Sequence, residues 1–286
     1  MGIMGTETAP LEGQAALITG GGSGIGLQSA RYLARDGAAV TICGRSLERV
    51  VGAIEDLRND PEVPEGAVLQ AISCDVENEE QVAAAVALAA EPLEGLHIVV
   101  ASAGTGTVGP LVAMDLNEFN RVLTANVSGT FLTIKHGGAE LVRSGGGSIV
   151  AISSLAGRTT HRFMGPYCAA KAAIDMLANV AADELGSAGV RVNTVQPSLV
   201  ATDLVTMITA EDHIRNDYLS QMPVSRVGTV DDVAAMVRFL CGPESGWMTG
   251  ANIPIDGGHH LRRGPDYEPI ASALYGDAVN GLVARP

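Results

Sequence analysis

Between residues 15 and 36 a short apolar run, Ala15-Ala-Leu-Ile-Thr19, leads into glycines at 20, 21, 22, 24 and 26, and apolar residues then recur at helical spacing to about Asp36. This pattern specifies a strand that turns within a few residues into a helix. Glycine in that turn permits φ > 0 and lets backbone N–H groups approach a bound group closely, while the helix N-terminus adds partial positive charge. Gly20, Gly24 and Gly26 therefore read as a pyrophosphate cradle, and Ser23 adds a hydroxyl. Such a start commits the chain to alternating strands and helices.

The remaining sequence keeps that rhythm. Strands are expected at Ala39 to Cys43, Val68 to Ile72, His97 to Ala101, Ser148 to Ile152, Val190 to Val195 and Asn252 to Ile255. Between them, Ser46 caps a helix towards Arg58, an Ala-rich helix runs from Asn78 to Ala90, and a long helix runs from Asn117 to Val142. Further helices are expected at Tyr167 to Leu185 and Val230 to Leu240. Seven strands alternating with helices imply a doubly wound parallel sheet with helices on both faces. The expectation is a single α/β domain over residues 1–258, its core starting near Leu11, followed by an extension over 259–286. The extension reads either as a disordered tail or as an arm docking on a neighbouring subunit. The segment from Asp203 to Arg226 breaks the rhythm and reads as a substrate lid, with a packed helical hairpin as the alternative.

Composition supports this architecture and removes several functions. Apolar residues make up 47% of the chain and aromatics only 3%, so Ala, Val, Leu and Ile must build the core, as in strands covered on both faces. A net charge of −14 opposes binding to nucleic acid or an anionic membrane. Cys43, Cys74, Cys168 and Cys241 form no Cys-x-x-Cys pair, and His259 and His260 are adjacent with no His-Glu-x-x-His, so no metal site is expected. The N-terminal residues lack the basic and apolar regions of a secretory signal, and no apolar run spans a membrane. A reduced, soluble, cytoplasmic protein is the expectation.

An anionic dinucleotide must then be held locally. At the end of the second strand, where an acidic residue would bond the ribose hydroxyls of NAD, stand Gly44 and Arg45, which favours the ribose phosphate of NADP. An exposed Arg45 that leaves NAD acceptable is the alternative. Asp75 and Val76, after the third strand, suit the adenine amino group and ring, although Asp75 also suits a helix cap. Ala103 and Gly104, after the fourth strand, allow close approach or simply make a turn.

Tyr167 and Lys171 lie four residues apart, with Ser154 thirteen residues upstream. On a helix that spacing puts both side chains on one face. A phenol of reference pKa about 10 exchanges protons poorly at neutral pH, and a nearby ammonium stabilises its phenolate. Together with a dinucleotide loop, the pair reads as the proton-transfer end of a hydride-transfer site.

These residues resemble the short-chain dehydrogenase/reductase family of the type with about 250 core residues, over roughly Leu11 to Gly258. The carriers are Thr19-Gly-x-x-x-Gly-x-Gly26, Asn126-Val-Ser-Gly129, Ser154, Tyr167-x-x-x-Lys171, Pro197-Ser-Leu-Val-Ala-Thr202 and Asp256-Gly-Gly258. The resemblance implies a Rossmann fold and an NAD(P)-dependent oxidoreductase interconverting a secondary alcohol and a ketone. It implies a catalytic set of Asn126, Ser154, Tyr167 and Lys171, with Asn126 holding a water that relays protons from Lys171. It also implies that Ile25, Pro197, Val200 and Thr202 contact the cofactor, with Thr202 on the carboxamide, and that the protein is a homotetramer or homodimer. Two departures stand beside the cofactor: Ala101-Ser-Ala-Gly replaces Asn-Asn-Ala-Gly, and Pro197-Ser198 replaces Pro-Gly. Leu155, Met164, Leu199, Leu204, Met207 and Ile208 are expected to form an apolar substrate pocket for an oxoacyl, steroid-like or terpenoid compound. His161 reads as an exposed loop residue or a substrate contact. An enoyl reductase and a cofactor-sensing scaffold without turnover are the rival readings.

Overall fold

A computed structural model describes residues 9–202, 212–264 and 267–282. Within them seven strands form one parallel sheet: β1 (Ala15–Thr19), β2 (Ala39–Gly44), β3 (Leu69–Ser73), β4 (Ile98–Ala101), β5 (Gly147–Ile152), β6 (Val190–Pro197) and β7 (Asn252–Ile255). Their order is β3-β2-β1-β4-β5-β6-β7. The chain winds outward from β1 to β3 and returns on the other side of β1 as β4. Thr19 pairs in register with Ala101 at the carboxyl ends of these two strands, the switch point where open α/β sheets bind ligands.

Period-two alternation on the central strands feeds two cores. Ala16 and Ile18 of β1 face one layer with Leu33 and Ala34 of α1 (Gly24–Arg35), Val50 and Leu57 of α2 (Leu47–Arg58) and Val237 of a later helix. Ala15 and Leu17 face the opposite layer, with Val82 and Val86 of α3 (Glu79–Ala90). Both faces are thus apolar, so the strands are aliphatic throughout.

The long helix expected from Asn117 to Val142 is instead three pieces: α4 (Leu116–Leu123), a π-helical turn (Thr124–Ser128) and α5 (Gly129–Arg143). A π turn widens the ring to i→i+5 and displaces a carbonyl from the regular ladder. Asn126 Nδ2 donates to Val122 O at 2.8 Å, which satisfies such a carbonyl and turns the side chain inward. Downstream come α6 (Gly165–Leu185), α7 (Asp212–Gln221), α8 (Val230–Cys241) and α9 (Glu268–Tyr275). The expected lid therefore contains a helix, and its residues 203–211 lie outside the described ones. The described part of the extension folds back on its own chain, with Tyr267 and Ala271 fully buried.

Candidate active site

The end of β1 is fixed before the glycine turn begins. Thr19 Oγ1 accepts from Ser102 N at 3.2 Å and Ala103 N at 3.4 Å, which ties β1 to the segment after β4. Gly20 has φ +67°, and a Cβ there would stand 2.9 Å from the Ala103 backbone. At Gly26 a Cβ would collide with Gly20 O, so both positions exclude a side chain. Ser23, the N-cap of α1, makes no capping hydrogen bond, and the first turn holds no acidic residue. By contrast α2, α3 and α4 are capped by Ser46, Asn78 and Asp115 and carry acidic first turns. The α1 N-terminus keeps its donors and partial positive charge available for a diphosphate.

Two adjoining clefts run from this turn along the sheet's carboxyl edge. The first, about 390 Å³, is lined by Gly20, Ser23, Gly44, Arg45, Asp75 and Val76, with Ala103 and Gly104. Asp75 is not the cap of α3, a place taken by Asn78; its Oδ1 accepts from Glu77 N at 3.1 Å in the turn before that helix, and the residue borders the cleft. Arg49 also lines this cleft and was missed in the sequence. It sits in the first turn of α2, three residues after Ser46, so its signal is a helix position next to Arg45. Neither arginine forms an ion pair with a described residue.

The second cleft, about 280 Å³, is lined by Gly24, Ile25, Gly26, Pro197, Val200 and Thr202, and by Asn126, Ser154, Tyr167 and Lys171. The turn after β6 is held in place by Ala201 N donating to Gly228 O (2.9 Å) and Gly228 N to Leu199 O (3.0 Å). Its Thr202 methyl would stand 3.4 Å from a Cβ on Gly24, so the turn closes over the glycine loop.

Lys171 is the centre of the second cleft. Its Nζ donates to Ile152 O at 2.8 Å and stands 5.6 Å from the centroid of the Tyr167 ring. Burial pulls the ammonium down from its usual 10.5 to about 8, opposed by Asp175 one turn further along α6. Asp175 is held by Thr194 Oγ1 (2.9 Å) and Gln196 Nε2 (2.7 Å) from β6. The Tyr167 phenol is pushed up by burial and pulled down by a hydrogen bond from Ser154. Ser154 Oγ also accepts from Ala156 N at 3.1 Å and contacts Pro197 O at 3.4 Å. Ser153, the competing serine, also borders this cleft, but its hydroxyl is spent on Lys171 O at 3.1 Å.

Asn126 donates from Nδ2 to Thr105 O (2.7 Å) and Val122 O, leaving Oδ1 buried without a partner. A Cβ on Gly104 would lie 2.6 Å from that oxygen and 3.7 Å from Lys171 Nζ. An orphaned acceptor costs about 1–3 kcal/mol unless water or a ligand reaches it. This acceptor, the bare glycine turn and the uncapped α1 all fit a dinucleotide lying across both clefts.

The expected substrate residues divide. Met164 and Leu199 pack together with Tyr218, Met222 and Tyr267, next to Tyr167 and Cys168. Leu155 is fully buried and lines neither cleft. Leu204, Met207 and Ile208 lie outside the described residues. His161 is buried rather than exposed, and burial lowers it to about 4. No group of three or more metal-ligating side chains occurs among the described residues, and no described helix is long and apolar enough to cross a membrane.

Comparison with known proteins adds four findings. The family described as enoyl-(acyl carrier protein) reductase matches residues 20–260. The 2,5-dichloro-2,5-cyclohexadiene-1,4-diol dehydrogenase LinX of Sphingobium indicum is 34% identical over 248 residues, covering 87% of this chain and 96% of that protein. A short-chain type dehydrogenase/reductase from Mycobacterium ulcerans superposes with a TM-score of 0.92 at 41% identity, covering 96% of this chain and 99% of that one. A gluconate 5-dehydrogenase from Burkholderia cenocepacia, in complex with NADP and tartrate, superposes with a TM-score of 0.83 at 27% identity, covering 90% and 98%.

The buried lysine predicts a pH signature in the protein without cofactor. Below pH 8 folded and unfolded states both carry the proton, and the folded state bears the cost of the buried charge. Between about 8 and 10.5 the unfolded chain holds more protons, so stability rises with pH, by at most about 3 kcal/mol. Chemical denaturation at pH 7 and 9.5 measures this gain. It should be smaller in Lys171→Met, and an equal gain in both proteins would contradict the assignment.

Proposed function

The chain belongs to the short-chain dehydrogenase/reductase family, and from that premise we propose that it interconverts a secondary alcohol and a ketone by direct hydride transfer. It is an enzyme of that family, acting on CH–OH groups with NAD or NADP. The observation that carries the reading is the Lys171 ammonium, buried one helical turn from Tyr167 beside the unpartnered Asn126 oxygen. A nicotinamide held by the residues of this cleft would supply the hydride donor or acceptor, and in its oxidised form positive charge.

Ser154 holds the substrate oxygen by a hydrogen bond, and Tyr167 gives or takes the proton on that oxygen. The Tyr167 phenol, raised by burial, needs positive charge nearby to act at neutral pH. Lys171 spends one donor on Ile152 O and keeps two for the nicotinamide ribose and for a water on Asn126 Oδ1. That water gives the spent proton a route to solvent. The enoyl reductase reading draws on the description of the matching family; the full Asn126, Ser154, Tyr167 and Lys171 set favours carbonyl chemistry.

We assign NADP as the preferred cofactor. Gly44 removes the carboxylate that would repel a ribose phosphate, while Arg45, Ser46 and Arg49 border the same end of the cleft. A homotetramer or homodimer is the proposed assembly. On α5 and α6, Phe131, Met176 and Val180 are 48%, 62% and 47% exposed, and Trp247 is wholly exposed. Apolar groups of this size outside the core favour burial against another copy. A cytoplasmic setting suits four unpaired thiols.

Tyr167→Phe should lower kcat by at least about a thousandfold while dinucleotide affinity stays within about twofold; unchanged turnover would remove the mechanism. Titration should show tighter binding of NADPH than NADH, and Arg45→Ala with Arg49→Ala should weaken NADPH by about tenfold to a hundredfold with little effect on NADH. A wild-type preference for NADH would refute the role of these arginines. Sedimentation at micromolar concentration should give a dimer or tetramer, and a monomer would contradict the proposed assembly.

A further inference from the structure

The described residues after β7 form a folded cover rather than a tail. Ser198 Oγ, in the turn after β6, bonds His259 Nδ1 at 2.6 Å, while His259 Nε2 bonds Arg263 O at 2.8 Å. A carbonyl only accepts, so Nε2 carries the proton and Ser198 donates to Nδ1. Arg263 pairs with Asp217 of α7 at 2.7 Å, and Arg162 pairs with Glu268 of α9. The Tyr218 and Tyr267 hydroxyls meet at 2.6 Å.

The cover lies tightly on the walls around Tyr167. A Cβ on Gly264 would collide with Thr160 O, and one on Gly109 would stand 2.8 Å from the Tyr275 hydroxyl. Tyr267 and Ile270 share one apolar cluster with Val108, Met164, Tyr167 and Leu199. The chain holds only four Phe, five Tyr and one Trp, yet Phe163, Tyr167, Tyr218, Tyr267 and Tyr275 gather at this end. Phe163 adopts φ +68° there, a left-handed conformation that costs a bulky residue about 1–3 kcal/mol and persists only where surrounding packing imposes it. His161 and His259, both lowered by burial, stay neutral at pH 7; Arg162 and Arg263 are held by carboxylates, and Arg262 donates to Ser220 O.

We propose that residues 259–264 and 267–275 are a cap forming the outer wall of the substrate end, and that this wall selects a neutral alicyclic or aromatic secondary alcohol, or its ketone, over open-chain polyols and charged substrates. The inference rests on the dehydrogenase reading and names the substrate class of that same site. Flat rings fit aromatic walls through offset and edge contacts, and a site whose nearest cations, Arg162 and Arg263, are already held by Glu268 and Asp217 offers little to a carboxylate or phosphate. Ser198, where the family's usual turn has glycine, pins the cap to the turn proposed to hold nicotinamide.

Steady-state kinetics on the full chain test the cap, with cyclohexanol and a decalol as ring alcohols, 2-butanol as a small open-chain control and a hexitol as polyol. Wild type should prefer the ring alcohols. Gly264→Ala, which must lift the cap from Thr160, and Ile270→Ala, which trims its inner face, should each raise KM for ring alcohols by about tenfold. The value of kcat should stay within about twofold, as should kcat/KM for 2-butanol. Proportionate losses on every alcohol, or no change on ring alcohols, would overturn the cap while leaving the dehydrogenase reading intact. A wild type that binds NADPH or NADH yet oxidises none of the panel would overturn both, and a preference for the hexitol would overturn the cap alone.

Discussion

The ammonium of Lys171, buried against the end of β5, is the constraint around which the site is organised. A cation out of water is tolerated only where fixed dipoles and a counter-charge replace hydration. Ile152 O supplies the dipole, Asp175 the counter-charge, and Thr194 and Gln196 hold Asp175 in turn. Tyr167, Lys171 and Asp175 recur at four-residue spacing, so a single face of α6 carries the phenol, the ammonium and the group that steadies it. For that face to reach β5, the short 3₁₀ turn after Ser154 must pack directly on α6, and a Cβ on Gly157 would stand 2.8 Å from Lys171 C.

The site therefore joins two ends built by different rules. At the end proposed for the phosphates, backbone donors and missing side chains make the surface, through Gly20, Gly26 and an uncapped helix. At the end proposed for proton transfer, side chains on a rigid helix and strand end make it, through Ser154, Tyr167 and Lys171. Gly104 belongs to both, because its bare Cα lets the segment after β4 pass beside Asn126 Oδ1 and Lys171 Nζ. The sheet's switch point brings the two ends onto one edge.

Much of this was legible in the sequence, for physical reasons that can be named. The glycine turn, the succession of strands and helices and the Tyr167 and Lys171 pair depend on short-range patterns: alternation, helical spacing and turn chemistry. Three features were not legible. The π turn at Asn126 leaves no mark on apolar periodicity, since it adds a residue to the ring without breaking the helix direction. The bond from Ser198 to His259 joins residues 61 apart, and only the return of the extension makes a serine useful there. Arg49 sits in a helical turn whose exposure and spacing resemble any solvated face, and the cleft alone distinguishes it. Tertiary contact, not local preference, decides all three.

Direct hydride transfer to a carbonyl carbon is the central claim, and cofactor labelled with deuterium at the transferable C4 position tests it most directly. With a ketone such as cyclohexanone as substrate, the account predicts one deuterium on the carbon bearing the new hydroxyl and a solvent-derived proton on its oxygen. Label on the β-carbon of an added enone, with its carbonyl left intact, would contradict carbonyl reduction. Label absent from the alcohol formed would contradict direct transfer altogether.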